Sequence, residues 1–218
     1  MDDAFLFPPQ PGGNTFFHEQ RLHEHGLLRV AGVDEAGRGP LAGPVTAACV
    51  ILPPASDHSR WKDSKKLTPL RRERLWSELR CCSNTLIGTG LASAEEIDQL
   101  NIHRASLLAM RRAVENCAAS VGNLPDYLLV DGLFKVPVNL PQLALVKGES
   151  KSASIAAASI IAKVLRDHLM AEYHEQYPQY NFLQHKGYPT KAHRAAIAEH
   201  GPSPIHRRSF HGVREFCR

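Results

Sequence analysis

The chain has 218 residues, of which 43% are hydrophobic and 22% charged, and its formal net charge is +4. This length and apolar content allow one sizeable core, which argues against a largely disordered chain. No apolar run approaches membrane-spanning length and no signal pattern opens the sequence, so we expect neither a membrane protein nor an exported one. Five cysteines without C-x-x-C spacing favour reduced thiols and a cytoplasmic location.

The charges are unevenly distributed. Residues 60–80 hold eight Lys/Arg against three acids and residues 184–218 hold seven against two, so each segment is net +5 and the rest of the chain is net −6. Two basic segments beside an acidic remainder suit a protein that binds a polyanion with some surfaces and cations with another. Ordinary solvated helix faces explain the same charges, so this pattern alone leaves both interpretations open.

The predicted elements alternate between strands and helices after a Pro- and Gly-rich start. Residues 1–26 are expected to form a flexible N-terminal arm. Apolar runs, caps and breakers then predict, in chain order, a strand over 27–34, a strand over 45–52, a helix over 68–80, a strand over 85–91, a short helix opened by a capping box at 93–96, a helix over 102–117, strands over 127–131 and 143–146, and helices over 152–173 and 190–200. This order indicates an α/β domain with a mixed sheet and a helical C-terminal part.

Three of the apolar strand-like segments deliver carboxylates at their C-terminal ends. Asp34 and Glu35 follow the first strand, Asp131 ends the segment YLLVD, and Glu149 follows LALVKG. The carboxyl ends of strands form the usual ligand-binding edge of an open α/β sheet, so we expect these acids to converge. Each acid taken alone is also explained as a helix cap or turn residue.

Clustered carboxylates repel one another unless a counter-ion is present. Hard divalent cations prefer oxygen ligands, and Mg²⁺ is the natural occupant of such a site. Two ions about 4 Å apart bind both the attacking water and the leaving oxygen of a phosphodiester. The acids therefore predict a two-metal nuclease site.

The sequence resembles the ribonuclease HII family, the type 2 ribonucleases H. The matching segments follow the family's order from residue 28 onward: AGVDEAGRGPLAGP at 31–44, DSKKL at 63–67, DG at 131–132, KGES at 147–150, AASIIAKVLRD at 157–167, HKGYPT at 185–190 and IHRRSF at 205–210. The resemblance implies a ribonuclease H-like fold, with a mixed central sheet flanked by helices over residues 27–180 and a small helical substrate-binding appendage over residues 181–218.

The resemblance also implies four metal-binding catalytic carboxylates, at Asp34, Glu35, Asp131 and Glu149. The family usually has Asp at the fourth position, so Glu149 adds one methylene. These residues would hold two Mg²⁺ or Mn²⁺ ions. Asp167 is a nearby acid that either assists them or pairs with Lys163 or Arg166 on the helix surface; we favour the surface pair.

Substrate contacts are implied at several further positions. Gly37, Arg38 and Gly39 match the family's ribose-reading segment, since glycines let backbone groups approach a 2′-hydroxyl. Tyr188 matches the tyrosine that stacks on the sugar at the RNA-to-DNA junction, and Pro189 stands beside it where Gly is common. Phosphate contacts are expected at Ser64, Lys65 and Lys66, with weaker candidates at Lys147, Arg207 and Arg208.

The expected activity is endonucleolytic hydrolysis of RNA in RNA–DNA hybrids and 5′ to single ribonucleotides in duplex DNA, leaving 5′-phosphate and 3′-hydroxyl ends. Such an enzyme would remove ribonucleotides during DNA replication and repair. A ribonuclease HIII-like enzyme, a noncatalytic nucleic-acid-binding protein and a structure-specific DNA nuclease are the alternatives. We expect a monomer, and the sequence identifies no protein partner. The five histidines after residue 184, at 185, 193, 200, 206 and 211, show no zinc spacing and are expected at the surface or on phosphates.

Overall fold

The computed structural model describes residues 14–54, 58–61, 67–82 and 84–217. Five strands form one sheet in the order β3-β2-β1-β4-β5. The strands are β1 (Val30–Ala36), β2 (Val45–Ile51), β3 (Leu86–Ala92), β4 (Tyr127–Asp131) and β5 (Gln142–Leu145). Strands β1, β2 and β3 pair antiparallel, whereas β4 pairs parallel with both β1 and β5, so the predicted mixed sheet is confirmed.

Helices cover both faces of the sheet and form the C-terminal part. They are α1 (Phe17–Glu24), α2 (Pro69–Cys81), α3 (Ala94–Leu100), α4 (Ile102–Val121), α5 (Ala153–Gln176), α6 (Phe182–His185) and α7 (Lys191–His200). The predicted capping box is present, because Ser93 Oγ accepts from the Glu96 amide and Glu96 Oε2 accepts from the Ser93 amide. No helix of the described segments is long and apolar enough to cross a membrane.

The sheet is buried on both faces, and β2 shows how its residues divide between them. All seven residues of β2 are buried. Ala47 and Cys49 belong to the apolar cluster under α4, whereas Ala48 and Val50 belong to the cluster under α5. Successive side chains of a strand point to opposite faces, so small apolar residues at every position allow helices to pack on both sides.

Helix α5 lies unusually close to β1. A Cβ added at Gly32 would fall 2.0 Å from the backbone carbon of Ser154 and 2.2 Å from the amide nitrogen of Ile155. A glycine in the middle of a strand is otherwise unfavourable, and here it permits the close approach of another backbone. This contact fixes where the first turn of α5 sits on the sheet.

The C-terminal helices pack onto the far end of α5 and the loop after β1. Phe182, Ile197 and Val213 form a small apolar cluster with Leu41 and Met170. Residue 42 of the loop after β1 pairs with His206 as an isolated β-bridge. The loop after β1 and the far end of α5 therefore join the helical C-terminal part to the sheet domain, and the bonds of Arg208 and Ser209 to Asp98 of α3 add a third contact.

The expectation of a flexible arm over residues 1–26 is wrong for residues 14–26. These residues contain α1, and both Phe16 and Leu22 are buried in apolar clusters. The amide of Ala153 donates to the Thr15 carbonyl at 2.7 Å, and the amide of Ser154 donates to Glu19 Oε1 at 3.0 Å. Residues 1–13 lie outside the described part of the chain.

Residues 14–26 are structured because they contact the N-terminus of α5. The first four amides of a helix have no partner within it. Thr15 and Glu19 satisfy the first two, and the side-chain hydroxyl and carbonyl of Ser152 satisfy the amides of Ile155 and Ala156. Helix α1 is therefore held in place because it caps α5.

We predict that Glu19→Ala lowers the free energy of unfolding by about 1–3 kcal/mol, because it leaves a buried amide and the Ser152 hydroxyl without their acceptor. Urea unfolding followed by circular dichroism measures the change. Glu24→Ala is the matched control, since Glu24 is exposed on the same helix and forms a surface ion pair with Arg21. Equal effects of the two substitutions would contradict the capping role.

Candidate active site

Asp34 and Asp131 are brought together by the register of β1 and β4. Val33 pairs with Val130 in a parallel ladder, so the next residues along the two strands are Asp34 and Asp131. In-register residues of neighbouring strands point to the same face. Because Val33 and Val130 face the cluster under α4, the two aspartates lie on the side of α5.

Glu149 joins these aspartates from a single 3-10 turn, Gly148–Ser150, just before α5. The amide of Gly148 donates to Asp131 Oδ1 at 2.7 Å, which ties this turn to the end of β4. Ser159 of α5 lies 3.4 Å from Glu149 Oε2 and also bonds the Asp34 side chain. Asp34 and Glu149 therefore meet at one serine hydroxyl, and Asp131 is tied to the turn that carries Glu149.

Glu35 faces the opposite side of the sheet from Asp34, as alternation along a strand requires. Its Oε1 accepts from Arg38 Nη1 at 3.1 Å. Together with Asp131 and His103 it lines a small cavity of about 30 Å³. Strand β1 continues to Ala36 rather than ending at residue 34, so both acids lie within the paired strand and the bend follows them at Gly37.

Burial and mutual repulsion raise the pKa values of two of these acids. Burial raises the pKa of Asp34 well above its usual range, and the charges of Glu35 and Asp131 raise it further. Burial also raises the pKa of Glu35, although Arg38 opposes the change. A like charge disfavours ionisation of its neighbours, so this cluster gains free energy from any cation that approaches it.

The side chains fit a divalent metal by chemistry, but the site is not pre-assembled. No group of three or more His, Cys, Asp or Glu side chains within the described ranges is arranged so that it could hold a metal ion. Glu35 on one face and Asp34 on the other explain part of this spread. The donors are nevertheless all carboxylate oxygens with excess negative charge, which is what Mg²⁺ and Mn²⁺ prefer.

The segment Gly37–Gly39 and Tyr188 lie together beside the acids. A Cβ added at Gly39 would lie 3.9 Å from Tyr188 Cε1, and Tyr188 is 43% exposed. Lys163 Nζ and the guanidinium of Arg166 each lie 6.0 Å from the centre of that ring. The two elements that the resemblance assigns to sugar recognition therefore share one surface.

Arg207 does not have the predicted role of a phosphate contact. Its side chain is fully buried. It donates to the carbonyls of Gly37 at 2.5 Å, Arg38 at 2.9 Å and Gly43 at 3.0 Å. A side chain that binds backbone carbonyls in the interior cannot also reach an external phosphate, so Arg207 supports the loop after β1.

The remaining candidates lie at the surface or outside the described residues. Lys163 Nζ lies 2.6 Å from Asp167 Oδ1, which confirms the favoured surface pair. Lys147 and Arg208 are exposed. The amide of Arg208 donates to Asp98 Oδ2 at 2.8 Å, so this segment is anchored through its backbone. Ser64, Lys65 and Lys66 fall in the undescribed range 62–66.

Three histidines expected at the surface or on phosphates are buried instead. His185, His193 and His206 form a cluster in which His185 and His193 stack with ring centres 4.3 Å apart. His193 Nε2 lies 3.0 Å from His206 Nε2, and His193 Nδ1 lies 2.9 Å from the Tyr188 carbonyl. The cluster therefore supports the Tyr188 loop from below.

Sequence reasoning missed Arg166 and this histidine cluster as parts of the site. The sequence indicates Arg166 only as a surface partner of Asp167, yet its side chain is fully buried. Arg166 lies in the matched segment AASIIAKVLRD, His185 in HKGYPT and His206 in IHRRSF, whereas His193 lies outside the matched segments. Those matches were the available signal, but their long-range partners are visible only in the structure.

Comparison with known proteins agrees with this geometry. The family model of ribonuclease HII matches residues 31–213. The ribonuclease HII of Syntrophotalea carbinolica is 53% identical over 211 residues, which covers 97% of this chain and 98% of that protein. A match of this identity and coverage shows the family.

Two solved structures share the fold. The ribonuclease HII of Archaeoglobus fulgidus, solved in complex with PCNA, aligns with a TM-score of 0.67 at 27% identity over 84% of this chain and 96% of that one. Bst-RNase HIII, solved in complex with Mn²⁺, aligns with a TM-score of 0.69 at 17% identity over 98% of this chain and 78% of that one. The ribonuclease H-like fold is thereby confirmed, and the chain belongs to the ribonuclease HII family of endoribonucleases, which hydrolyse RNA paired with DNA.

Proposed function

We propose that this protein cuts duplex DNA 5′ to a single embedded ribonucleotide, in addition to the RNA strand of RNA–DNA hybrids, and leaves 5′-phosphate and 3′-hydroxyl ends. The observation that carries the proposal is the juxtaposition of Asp34 and Asp131 with the exposed surface formed by Gly39 and Tyr188. The two aspartates would supply the phosphodiester chemistry, and the surface of Gly39 and Tyr188 would contact a single sugar. Its role in the cell would be removal of ribonucleotides during DNA replication and repair.

The four carboxylates are the proposed metal ligands. Asp34, Glu35, Asp131 and Glu149 would hold two Mg²⁺ or Mn²⁺ ions, which, when bound, supply an activated water and neutralise charge on the reacting phosphate. Ser159 keeps Asp34 and Glu149 near each other, and the Gly148 amide fixes the direction of the Asp131 carboxylate. Burial of Asp34 excludes water from its neighbourhood, which strengthens its interaction with any cation.

The loop after β1 and Tyr188 are the proposed readers of the ribonucleotide. Backbone groups of Gly37–Gly39 would hydrogen-bond the 2′-hydroxyl, because a glycine loop permits a sugar to approach the chain closely. Tyr188 would stack on the adjoining deoxyribose, and the nearby Lys163 would face the phosphate backbone. The 2′-hydroxyl is read but is not the nucleophile.

The decisive test compares three duplexes of one sequence: all DNA, DNA with one ribonucleotide, and an RNA–DNA hybrid. We expect divalent-ion-dependent cleavage of the last two, at the 5′ side of the single ribonucleotide. Asp34→Asn is expected to lower both rates at least about 100-fold, because a metal ligand loses its charge. Full cleavage by Asp34→Asn would reject the metal assignment, and comparable cutting of the all-DNA duplex would reject ribonucleotide recognition.

Glu149 offers a second prediction. Glu149→Asp shortens a side chain whose oxygen already stands 3.4 Å from Ser159, so we expect the Mg²⁺ concentration for half-maximal activity to rise about tenfold or more. Titration of activity against Mg²⁺ and against Mn²⁺ measures this change. Glu175→Asp, at an exposed position of α5, is the control. An unchanged Mg²⁺ requirement in Glu149→Asp would remove Glu149 from the ligand set.

The raised pKa of Asp34 gives a third prediction, which concerns stability rather than rate. Because the pKa of Asp34 is higher in the folded than in the unfolded chain, its ionised form costs folding free energy, and stability falls as the pH rises through the folded-state value. In chelator at neutral pH, Asp34→Asn should therefore raise the melting temperature, by about 2–4 °C for each kcal/mol relieved.

Divalent ions should make the wild type melt at a higher temperature than Asp34→Asn. Mg²⁺ or Mn²⁺ stabilises a protein that binds it in the folded state, so the wild type should gain melting temperature with ion concentration and Asp34→Asn should gain less. Differential scanning calorimetry with and without the ion measures both changes. A wild type more stable than Asp34→Asn in chelator would contradict the electrostatic cost at this site.

A further inference from the structure

Two buried arginines lie beneath the loop after β1. Arg166 of α5 and Arg207 of the C-terminal part are both fully buried. Across the described ranges, neither forms an ion pair with a carboxylate, and every hydrogen-bond acceptor found for them is a backbone carbonyl. In the described part of the chain, the hydrogen bonds of both charged side chains therefore all go to the main chain.

Each arginine holds a defined set of carbonyls. Arg207 binds the carbonyls of Gly37, Arg38, Gly43 and Pro44. Arg166 binds those of Ala42 and Pro44 in the same loop, and at 2.9 Å that of Lys186, two residues before Tyr188. Arg166 thus joins the glycine loop to the Tyr188 loop, while Arg207 holds the glycine loop itself.

This arrangement is costly. Burial lowers the pKa of Arg207 to about 9 and that of Arg166 to about 10, and the proximity of Arg166 contributes to the lower pKa of Arg207. Both groups remain protonated at neutral pH. Apolar residues of similar volume often replace buried charges without loss of stability. What these two arginines provide, and apolar residues would not, is a fixed direction for the carbonyls that they bind.

The carbonyl directions determine where the amides point. In a planar trans peptide the C=O and the next residue's N–H point in opposite directions. Because Arg207 binds the carbonyls of Gly37 and Arg38, the amides of Arg38 and Gly39 point away from it. Gly37 adopts φ +97°, and a Cβ there would fall 2.2 Å from Arg166 Nε, so the turn is fitted to the arginine below it.

We propose that Arg207 and Arg166 are positioning residues for ribonucleotide selectivity: Arg207 turns the amides of Arg38 and Gly39 toward the 2′-hydroxyl, and Arg166 holds Tyr188 in register with them. This proposal rests on the proposed function. It assigns the two arginines no contact with substrate. Their substitution should therefore change discrimination between ribose and deoxyribose more than it changes general affinity for a duplex.

The test measures equilibrium binding in chelator, where cleavage does not interfere. Wild type, Arg207→Lys and Arg166→Lys are titrated with two duplexes of one sequence, all DNA or with one ribonucleotide. A lysine keeps the positive charge but cannot hold several carbonyls in a planar fork. We expect the ratio of the two Kd values to fall toward one, at least about tenfold in Arg207→Lys, while affinity for the all-DNA duplex stays unchanged.

Kinetics with divalent ions provide the second readout. The variants should lose kcat/KM on the single-ribonucleotide duplex, mainly through KM if the amides act in ground-state binding. Arg112→Lys is the matched control, since Arg112 binds the Leu91 carbonyl and Glu96 away from the site. Circular dichroism melts confirm that each variant is folded. If Arg207→Lys does not fold, Arg166→Lys carries the same test through its bonds to residues 42 and 186.

The outcomes separate this inference from the proposed function. A wild type that binds both duplexes equally and cuts neither at a ribonucleotide overturns the proposed function. A selective wild type whose folded lysine variants keep its selectivity overturns the positioning role alone. Equal loss of affinity for both duplexes also overturns it, because that result indicates a purely structural role.

Discussion

One face of helix α5 organises the sheet, the acids and the specificity loops. Five residues of this face recur at helical spacing. Residue 155 contacts β1, residue 159 the carboxylates, and residue 162 the Thr46 hydroxyl. Residue 166 contacts the glycine loop, and residue 170 belongs to the C-terminal cluster. This row spans about 22 Å at 1.5 Å per residue. Its starting point is fixed by the backbone contact at Gly32 and by the cap from α1. A displacement of the first turn would therefore move every functional element along the row.

The Tyr188 loop is supported by a chain of neutral histidines whose tautomers follow from their partners. The Ser203 amide donates to His206 Nδ1, so His206 Nε2 carries the proton and donates to His193 Nε2. His193 Nδ1 then donates to the Tyr188 carbonyl. Burial lowers the pKa of His193 to about 4 and that of His206 to about 3, which keeps each ring able to accept one bond and donate another. The result is one direction of hydrogen bonding from residue 203 to residue 188.

The sequence predicted what depends on local pattern and failed where distant partners decide. The strand Tyr127–Asp131 was predicted at its observed bounds, because a short apolar run ends in an acid and a glycine. Helix α1 was missed because few of its residues are apolar, and its order depends on Glu19 meeting Ser152 and Ser154, more than 130 positions away. Local sequence favours an exposed position for Arg207 because charged residues are normally exposed, and its carbonyl partners lie about 165 positions earlier.

The same structure keeps opposite charges apart that would ordinarily pair. Ser159 touches the acids and Arg166 touches the loop, seven residues or about 10 Å apart along one helix face. An arginine bonded to Asp34 would neutralise both groups, and the acids would then no longer attract a divalent cation. Because carbonyls satisfy the two buried arginines, neither neutralises Asp34, and the loop amides are turned outward. Backbone dipoles therefore offset the energetic cost of burying the two arginines. The cost of burying the ionised acids is left for a bound cation to relieve.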